Sequence, residues 1–504
     1  MPDNAPVLTH QDGTQVPGAN ASAKPASAAA RQPKLFFEWY CQKPYLNNAR
    51  VCYSPSQTKR RVIGIISIGS QRDQLLFSRS RVFYGWWIVA IAAVGLFFSE
   101  PTIAVYSYSV FLKAASQDFR VGRGAVALAF TFHNLGTASL TPIIGYMIDC
   151  FGAKRIVVPA TALVGLTAIF AKLIGAALWQ YYVFYVALGV LSPAAGPVPY
   201  SAVISRWFDR KRGLALGLMS FGSGLAAIGY PPVAQLLIAQ SGWRSAYAIF
   251  GTAILFVPIL FLTFLLKEDP RRDGLFPDGV APVNPRWLPG SQVEGLDWHQ
   301  IWPSGTFWLL VTAFFLAGCS AHACVLHLAA MLSDRGFSPR EAANAVSIIG
   351  VAMLFGRTGS GYFLDRFFAP RVCAVLFGLS AVGIAVLAAG ASGPLAIVAA
   401  FMVGLAFGAE VEVIAFLVSR YFGLRSFGLA YGFGFSSFVL AGALGTYIMG
   451  AGFDRTHSYS APLLLVLFAM FLATILFARL GPYRFAPASS TALRVTAPAS
   501  EVAL

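Results

Sequence analysis

Long apolar runs separated by short polar links recur along most of the chain. From residue 84 onward they fall at 86–112, 126–148, 156–175, 179–204, 214–239 and 246–266. After an interval at 267–304 they resume at 306–332, 342–364, 372–391, 395–419, 427–450 and 461–480. A bilayer core takes roughly 20 apolar residues per helical crossing. Lipid offers no partner to an open backbone, so each run predicts a helix. The pattern predicts an all-α membrane protein with twelve transmembrane helices in two sets of six. Residues 1–80 contain nothing of that length, since the apolar stretch 62–68 is too short. They are expected to form a disordered cytoplasmic tail, with Ala, Ser and Pro dominating 21–30. The remaining boundaries follow: an N-terminal bundle at 84–266, a Pro-, Gly- and charge-rich linker at 267–304, a C-terminal bundle at 305–481, and a polar tail at 482–504.

Composition agrees, because 57% hydrophobic against 12% charged residues excludes a soluble chain of 504 residues. The net charge of +16 would suggest nucleic acid in a soluble protein. Here the cations gather in alternate links instead: Lys154 and Arg155; Arg206, Arg210, Lys211 and Arg212; Lys267, Arg271 and Arg272; Arg366 and Arg371; Arg420 and Arg425. The opposite links, with Arg120, Arg123, Arg335 and Arg340, are poorer in charge. That asymmetry predicts a multi-pass plasma (inner) membrane protein with both termini cytoplasmic, and no nucleic-acid partner. The six cysteines include no Cys-x-x-Cys pair, so neither a disulfide framework nor a metal site is expected.

Two motifs repeat. Gly145-Tyr-Met-Ile-Asp149-Cys-Phe-Gly152-Ala-Lys154-Arg155 follows the second run, and Gly361-Tyr-Phe-Leu-Asp365-Arg366 follows the eighth, 216 residues on from 145 to 361. Ser205-Arg206-Trp207-Phe208 and Ser419-Arg420-Tyr421-Phe422 lie 214 apart, from 205 to 419. Two pairs at nearly one offset imply a duplicated six-helix unit. The Gly-x-x-x-Asp-x-x-Gly-x-Lys/Arg-Arg link resembles the signature loop of the major facilitator superfamily. Tyr84-Gly85-Trp86-Trp87, Val110-Phe111-Leu112-Lys113, and Trp207-Phe208 with Arg212-Gly213-Leu214-Ala215 resemble its monocarboxylate transporter and oxalate/formate antiporter branch. The resemblance implies two pseudo-symmetric bundles that rock about a central substrate. It also implies that Gly145, Asp149, Gly152 and Arg155, with Asp365 and Arg366 in the second copy, form a conformational latch. On their own, these carboxylates at helix ends can cap a neighbouring helix or pair with local arginines, while positive-inside anchoring accounts for Lys154 and Arg155.

Ionisable groups inside apolar runs are costly and point to function. Arg357 stands in the eighth run among Gly356, Gly359 and Gly361, and its planar fork suits a carboxylate. The resembled branch implies an arginine there for the substrate anion; a snorkelling or helix-pairing arginine is the bland alternative. Glu410 and Glu412 lie roughly 200° apart on a helical wheel, so one faces the cavity and can carry a coupling proton while the other faces a helix. Tyr106, Asn134, Tyr200, His322 and His327 are further candidates to line the substrate path, with interhelical hydrogen bonding as the alternative for each. His133 belongs with Asn134, and Glu100 before Pro101 could gate or couple. The branch's animal members are implied to carry a lysine midway along the first run and an acid one turn before the arginine; those places hold Tyr106 and Met353. The second cation implied for the oxalate/formate branch has no counterpart, since 428–447 contain no Lys or Arg.

The sequence thus predicts a secondary carrier of a small organic anion, best a monocarboxylate, coupled to protons and working as a monomer in the lipid bilayer. It needs no cofactor. Two other readings stand beside it: proton-driven efflux of a hydrophobic compound, although Gly229-Tyr230-Pro231-Pro232 is not the Gly-Pro-x-x-Gly-Gly run that resembles drug antiporters, and a non-transporting membrane sensor. An enzyme is excluded by the lack of a nucleotide-binding loop, a metal-ligand spacing or a nucleophile triad in a recognisable context.

Overall fold

A computed structural model describes residues 83–280 and 293–486. The expected tail at 1–80 and most of the one at 482–504 lie outside the described residues. Those described belong to one compact unit, 62–504.

The first apolar run forms α1 (Tyr84–Phe97), a π-helical turn (Thr102–Tyr106) and α2 (Tyr108–Phe119). Then come α3 (Arg123–Phe151) and α4 (Ala153–Phe170). The fourth run bends at Gly196 into α5 (Leu178–Ala195) and α6 (Pro197–Trp207), where Pro197 occupies a first-turn position that needs no N–H. The fifth and sixth runs join as α7 (Arg212–Phe264), 53 residues broken by left-handed backbone at Gly242 (φ 77°). That is far more than one crossing requires. A short α8 (Trp298–Ile301) precedes α9 (Gly305–Asp334), α10 (Pro339–Arg366), α11 (Ala369–Ala388), α12 (Gly393–Phe422), α13 (Phe427–Thr456) and α14 (Ser460–Ala478). Ser338 and Glu341 open α10 with a reciprocal capping box.

Among the described residues, eight helices are long and apolar enough to cross a membrane. The helices α3 and α10 have the length, 29 and 28 residues, but not the apolarity. Their surroundings explain the difference. Helix α3 packs on α13 and α10 on α7, so each turns a face to the other half of the protein and not to lipid. Cys319, Cys324 and Cys373 are free thiols, whereas Cys150 is disulfide-bonded, against the expectation from spacing. Spacing speaks only to cysteines close in sequence.

The two halves meet through paired glycines. A Cβ on Gly145 would collide with the Gly428 carbonyl, and one on Gly428 with the Gly145 carbonyl. Gly213 and Gly361 stand in the same mutual relation. One level deeper, Gly217 lies on the Arg357 backbone and Gly432 on that of Thr141. Small residues let helix backbones cross this closely. The duplication recognised in the sequence is therefore repeated in the contacts: α3 crosses α13 as α10 crosses α7.

The linker grips the same end of the molecule. The Asp278 carboxylate accepts from the backbone N–H groups of Asp209, Arg210 and Lys211 at 3.0, 2.8 and 3.4 Å. Further along, Leu296 N donates to Phe422 O and Leu424 N to Glu294 O, both at 2.8 Å, so the linker runs antiparallel to the turn after α12. A branched side chain at a glycine crossing should wedge this end apart. Spin labels on Lys211→Cys and Arg425→Cys are expected to report longer distances in Gly428→Leu than in the parent, and an unchanged distribution would mean the crossing does not control closure.

Candidate functional site

Two carboxylates join the halves at the end rich in basic links. Asp149, at the end of α3, accepts from Gly428 N and Leu429 N at 2.7 and 2.9 Å. Asp365, at the end of α10, accepts from Gly213 N and Leu214 N at 2.6 and 2.8 Å. Each caps the first turn of a helix belonging to the opposite half, where unpaired N–H groups and the helix dipole favour an anion. Of the two partners allowed by sequence, helix N-terminus or arginine, the N-terminus makes the direct bonds. Gly145 supplies the backbone approach described above. Gly152 (φ 92°) ends α3 and leaves room for Glu268, which accepts from Lys154 N at 2.7 Å. Arg366 stands apart, stacked 3.6 Å over its neighbour Tyr362.

The second linkage was not anticipated. Arg420, 2% exposed, binds Asp209 Oδ1 at 2.6 Å and also reaches the Asp209 carbonyl. Arg212 donates to Ser419 Oγ at 2.9 Å across the same interface. The repeat held the clue: at the offset of 214 that relates Arg206 to Arg420, Asp209 corresponds to Gly423. An acid present in only one copy marks a contact that the duplication does not share.

Arg357 lies nine residues before the end of α10, roughly 14 Å in from that end at 1.5 Å per residue. The residue as a whole is 5% exposed. Nη1 donates to Ser220 O at 3.1 Å and to Ser223 Oγ, both on α7, while Nε has no hydrogen-bond partner. Tyr106, the last residue of the π turn, and Glu412 are its electrostatic neighbours. Glu412 also neighbours Ser220, although neither of its oxygens makes a hydrogen bond of ordinary geometry. Glu410, equally buried and unbonded, has Glu412 as its charged neighbour. Of the two, Glu412 is the one beside Arg357.

The other candidates lie elsewhere. His322 bonds the Gly318 carbonyl of its own helix at 2.8 Å and packs against Phe407 and Phe438. His327 bonds Thr446 O at 3.2 Å, and Tyr200 is seated against Gly95. These are contacts within one half; of the three, His327 makes the interhelical hydrogen bond weighed as the alternative, whereas the bond of His322 stays within its own helix. Asn134 lies 3.4 Å from His133, whose other nitrogen is 2.6 Å from Glu100. Sequence reasoning missed Ser220 and Ser223, small polar residues with nothing to distinguish them in an apolar run.

Two repeated helical halves, glycine crossings and reciprocal carboxylate caps around a buried cation define a membrane transporter of the two-bundle type. The chain matches the Major Facilitator Superfamily over residues 86–446 and belongs to it. It is 26% identical to an uncharacterised transporter of that superfamily, YhjX of Escherichia coli, over 70% of this chain and 85% of the relative. It is also 26% identical to monocarboxylate transporter 12 of Xenopus laevis, over 78% and 88%. Among solved structures, the proton:xylose symporter XylE matches with a TM-score of 0.62 at 14% identity, covering 79% of this chain and 96% of XylE. The human organic anion transporter MFSD10 matches with a TM-score of 0.60 at 14% identity, covering 78% and 99%. At such identities the structural likeness concerns the fold. The protein is thus a secondary transporter, and not an enzyme.

Breaking a buried ion pair on one side strands a charge and costs about 3–5 kcal/mol. Arg420→Met is accordingly expected to lower the melting temperature in detergent by several degrees. Adding Asp209→Ala should restore part of the loss, and strictly additive losses would mean that the two side chains do not act as a pair.

Proposed function

We propose that the protein carries a small organic anion, most plainly a monocarboxylate, together with a proton, by rocking its two halves about Arg357. The observation that carries this reading is the state of that guanidinium. It is buried at the interface of the halves near mid-membrane depth, bonded to neutral oxygens on one side, with Nε unspent. A cation so placed is expensive without an anion. The planar fork matches a carboxylate, and Tyr106 stands beside it as a further donor. Similarity to monocarboxylate transporter 12 supports the same substrate class.

Glu412 supplies the coupling in this scheme. Ionised, it competes with substrate for Arg357; protonated, it frees the guanidinium for the arriving anion. Anion and proton then load together, and charge stays balanced inside the membrane. Glu410, on the other face of α12, takes a structural place. The end carrying Asp149 and Asp365 is read as cytoplasmic from its basic links, with both termini on that side of a plasma membrane. The closed latches then correspond to a carrier shut toward the cytoplasm. One chain suffices for the cycle, so a monomer is the working unit.

Proteoliposomes with an inward proton gradient and labelled monocarboxylates, lactate and pyruvate among them, test the proposal. Wild-type uptake should depend on the gradient. Arg357→Ala should reduce it at least roughly tenfold, as expected for removing one side of a desolvated charge pair. Arg357→Lys, which keeps the charge but not the fork, should fall between. Undiminished uptake by Arg357→Ala, or no uptake by the wild type, would defeat the reading.

A further inference from the structure

Arg357 bonds α7 through a single nitrogen. Nη1 donates both to Ser220 O at 3.1 Å and to Ser223 Oγ. A guanidinium has five N–H groups, two of them on Nη1, so that nitrogen is spent. Nε is buried without a partner, and among the described residues Nη2 makes no hydrogen bond. The edge of the fork formed by Nε and Nη2 is therefore left open. Tyr106 and Glu412 are the titratable groups beside the guanidinium.

Helix α7 is shaped for this contact. Gly217, Ser220 and Gly224 are spaced by three and four residues and so share one helix face. A Cβ on Gly217 would strike the Arg357 carbonyl; one on Gly224 would strike Leu354 and come within 3.7 Å of Nη1. The absence of those side chains brings the serine oxygens within reach of the guanidinium. Ser223 Oγ donates its own proton to Ser220 O at 2.8 Å, which leaves a lone pair to accept from Nη1. The other crossing lacks these serines. Gly213 and Gly428 lie 215 apart, as do Gly217 and Gly432, and at that offset Ser220 corresponds to Phe435 and Ser223 to Phe438. Where Thr141 stands in place of the arginine, phenylalanines stand in place of the serines.

We propose that Ser223 is a positioning residue for the anion: with the Ser220 carbonyl it fixes the plane of the Arg357 guanidinium and presents the Nε–Nη2 edge to both oxygens of one carboxylate. Two N–H groups in one plane match two carboxylate oxygens in one plane. A guanidinium held in advance loses less freedom when the anion arrives. The hold also depends on the state of the carrier. Ser220 and Ser223 belong to one half and Arg357 to the other, so parting at the end that carries Asp149 and Asp365 withdraws α7 from α10 and releases Nη1. The anion site is thus organised while that end is shut and slack once it opens. This role for Ser223 rests on the anion reading given above.

Initial uptake of lactate and pyruvate, measured from each face in proteoliposomes sorted by orientation, tests it. In Ser223→Ala the KM on the face opposite the carboxylate caps should rise roughly three- to tenfold, the effect of having to order one mobile side chain, while KM on the capped face and kcat stay within about twofold. Ser223→Thr, which keeps the accepting hydroxyl, should resemble the wild type on both faces. An unchanged KM opposite the caps, an equal rise on both faces, or the same rise in Ser223→Thr overturns the positioning role and leaves the anion reading in place. A wild type that moves neither acid defeats the anion reading and the positioning role with it.

Discussion

Everything at the basic end of the protein depends on one exchange: each half lends a carboxylate to the other half's helix. Asp149 occupies the first turn of α13 and Asp365 that of α7, each with two short bonds to backbone N–H groups. Such charge-assisted bonds contribute about 1.5–3 kcal/mol apiece. They require the backbones to come within reach, which is why glycine faces glycine at both crossings. When the halves part, both carboxylates and both helix ends must be rehydrated together. Contact between the halves at this end is therefore concentrated in a few discrete bonds.

The same geometry places the cation. Arg357 lies one helical level deeper than the Gly213–Gly361 contact, and its own backbone is the surface on which Gly217 rests. Its counterpart at the repeat offset is Thr141, which meets Gly432 in the equivalent way. A symmetric scaffold thus carries an asymmetric centre: a neutral hydroxyl on one side and a guanidinium on the other. The guanidinium stays in the membrane because Ser220 and Ser223 accept from it, leaving its remaining donors to the interface between halves.

Much of this was legible in the sequence. Apolar runs gave the helices, the offset between Gly145 and Gly361 gave the duplication, and an arginine among glycines marked the interface. The polar residues resisted reading because periodicity fixes a helix's faces but not its rotation about its neighbours. Glu410 and Glu412 could be told apart only once α12 was set against α7 and α10, and His322 and His327 turned out to bond within their own half. Glu100 and His133 are 33 residues apart in different helices, so nothing local announces their contact. The π turn is similarly hidden, since Pro101 signals an interruption without specifying its form.

At the repeat offset Asp209 gives way to Gly423, so the ion pair between Arg420 and Asp209 is not repeated at that place in the second copy. The α7–α10 corner carries the Asp365 cap together with Arg212, Ser419 and the buried pair, whereas the α3–α13 corner carries the Asp149 cap and the bond from Ser436 Oγ to Ala138 O at 2.5 Å. The two corners are thus closed by different chemistry, one by a buried ion pair beside its cap and the other by a serine bond deeper in the crossing, so a substitution that loosens one leaves the other's bonds in place.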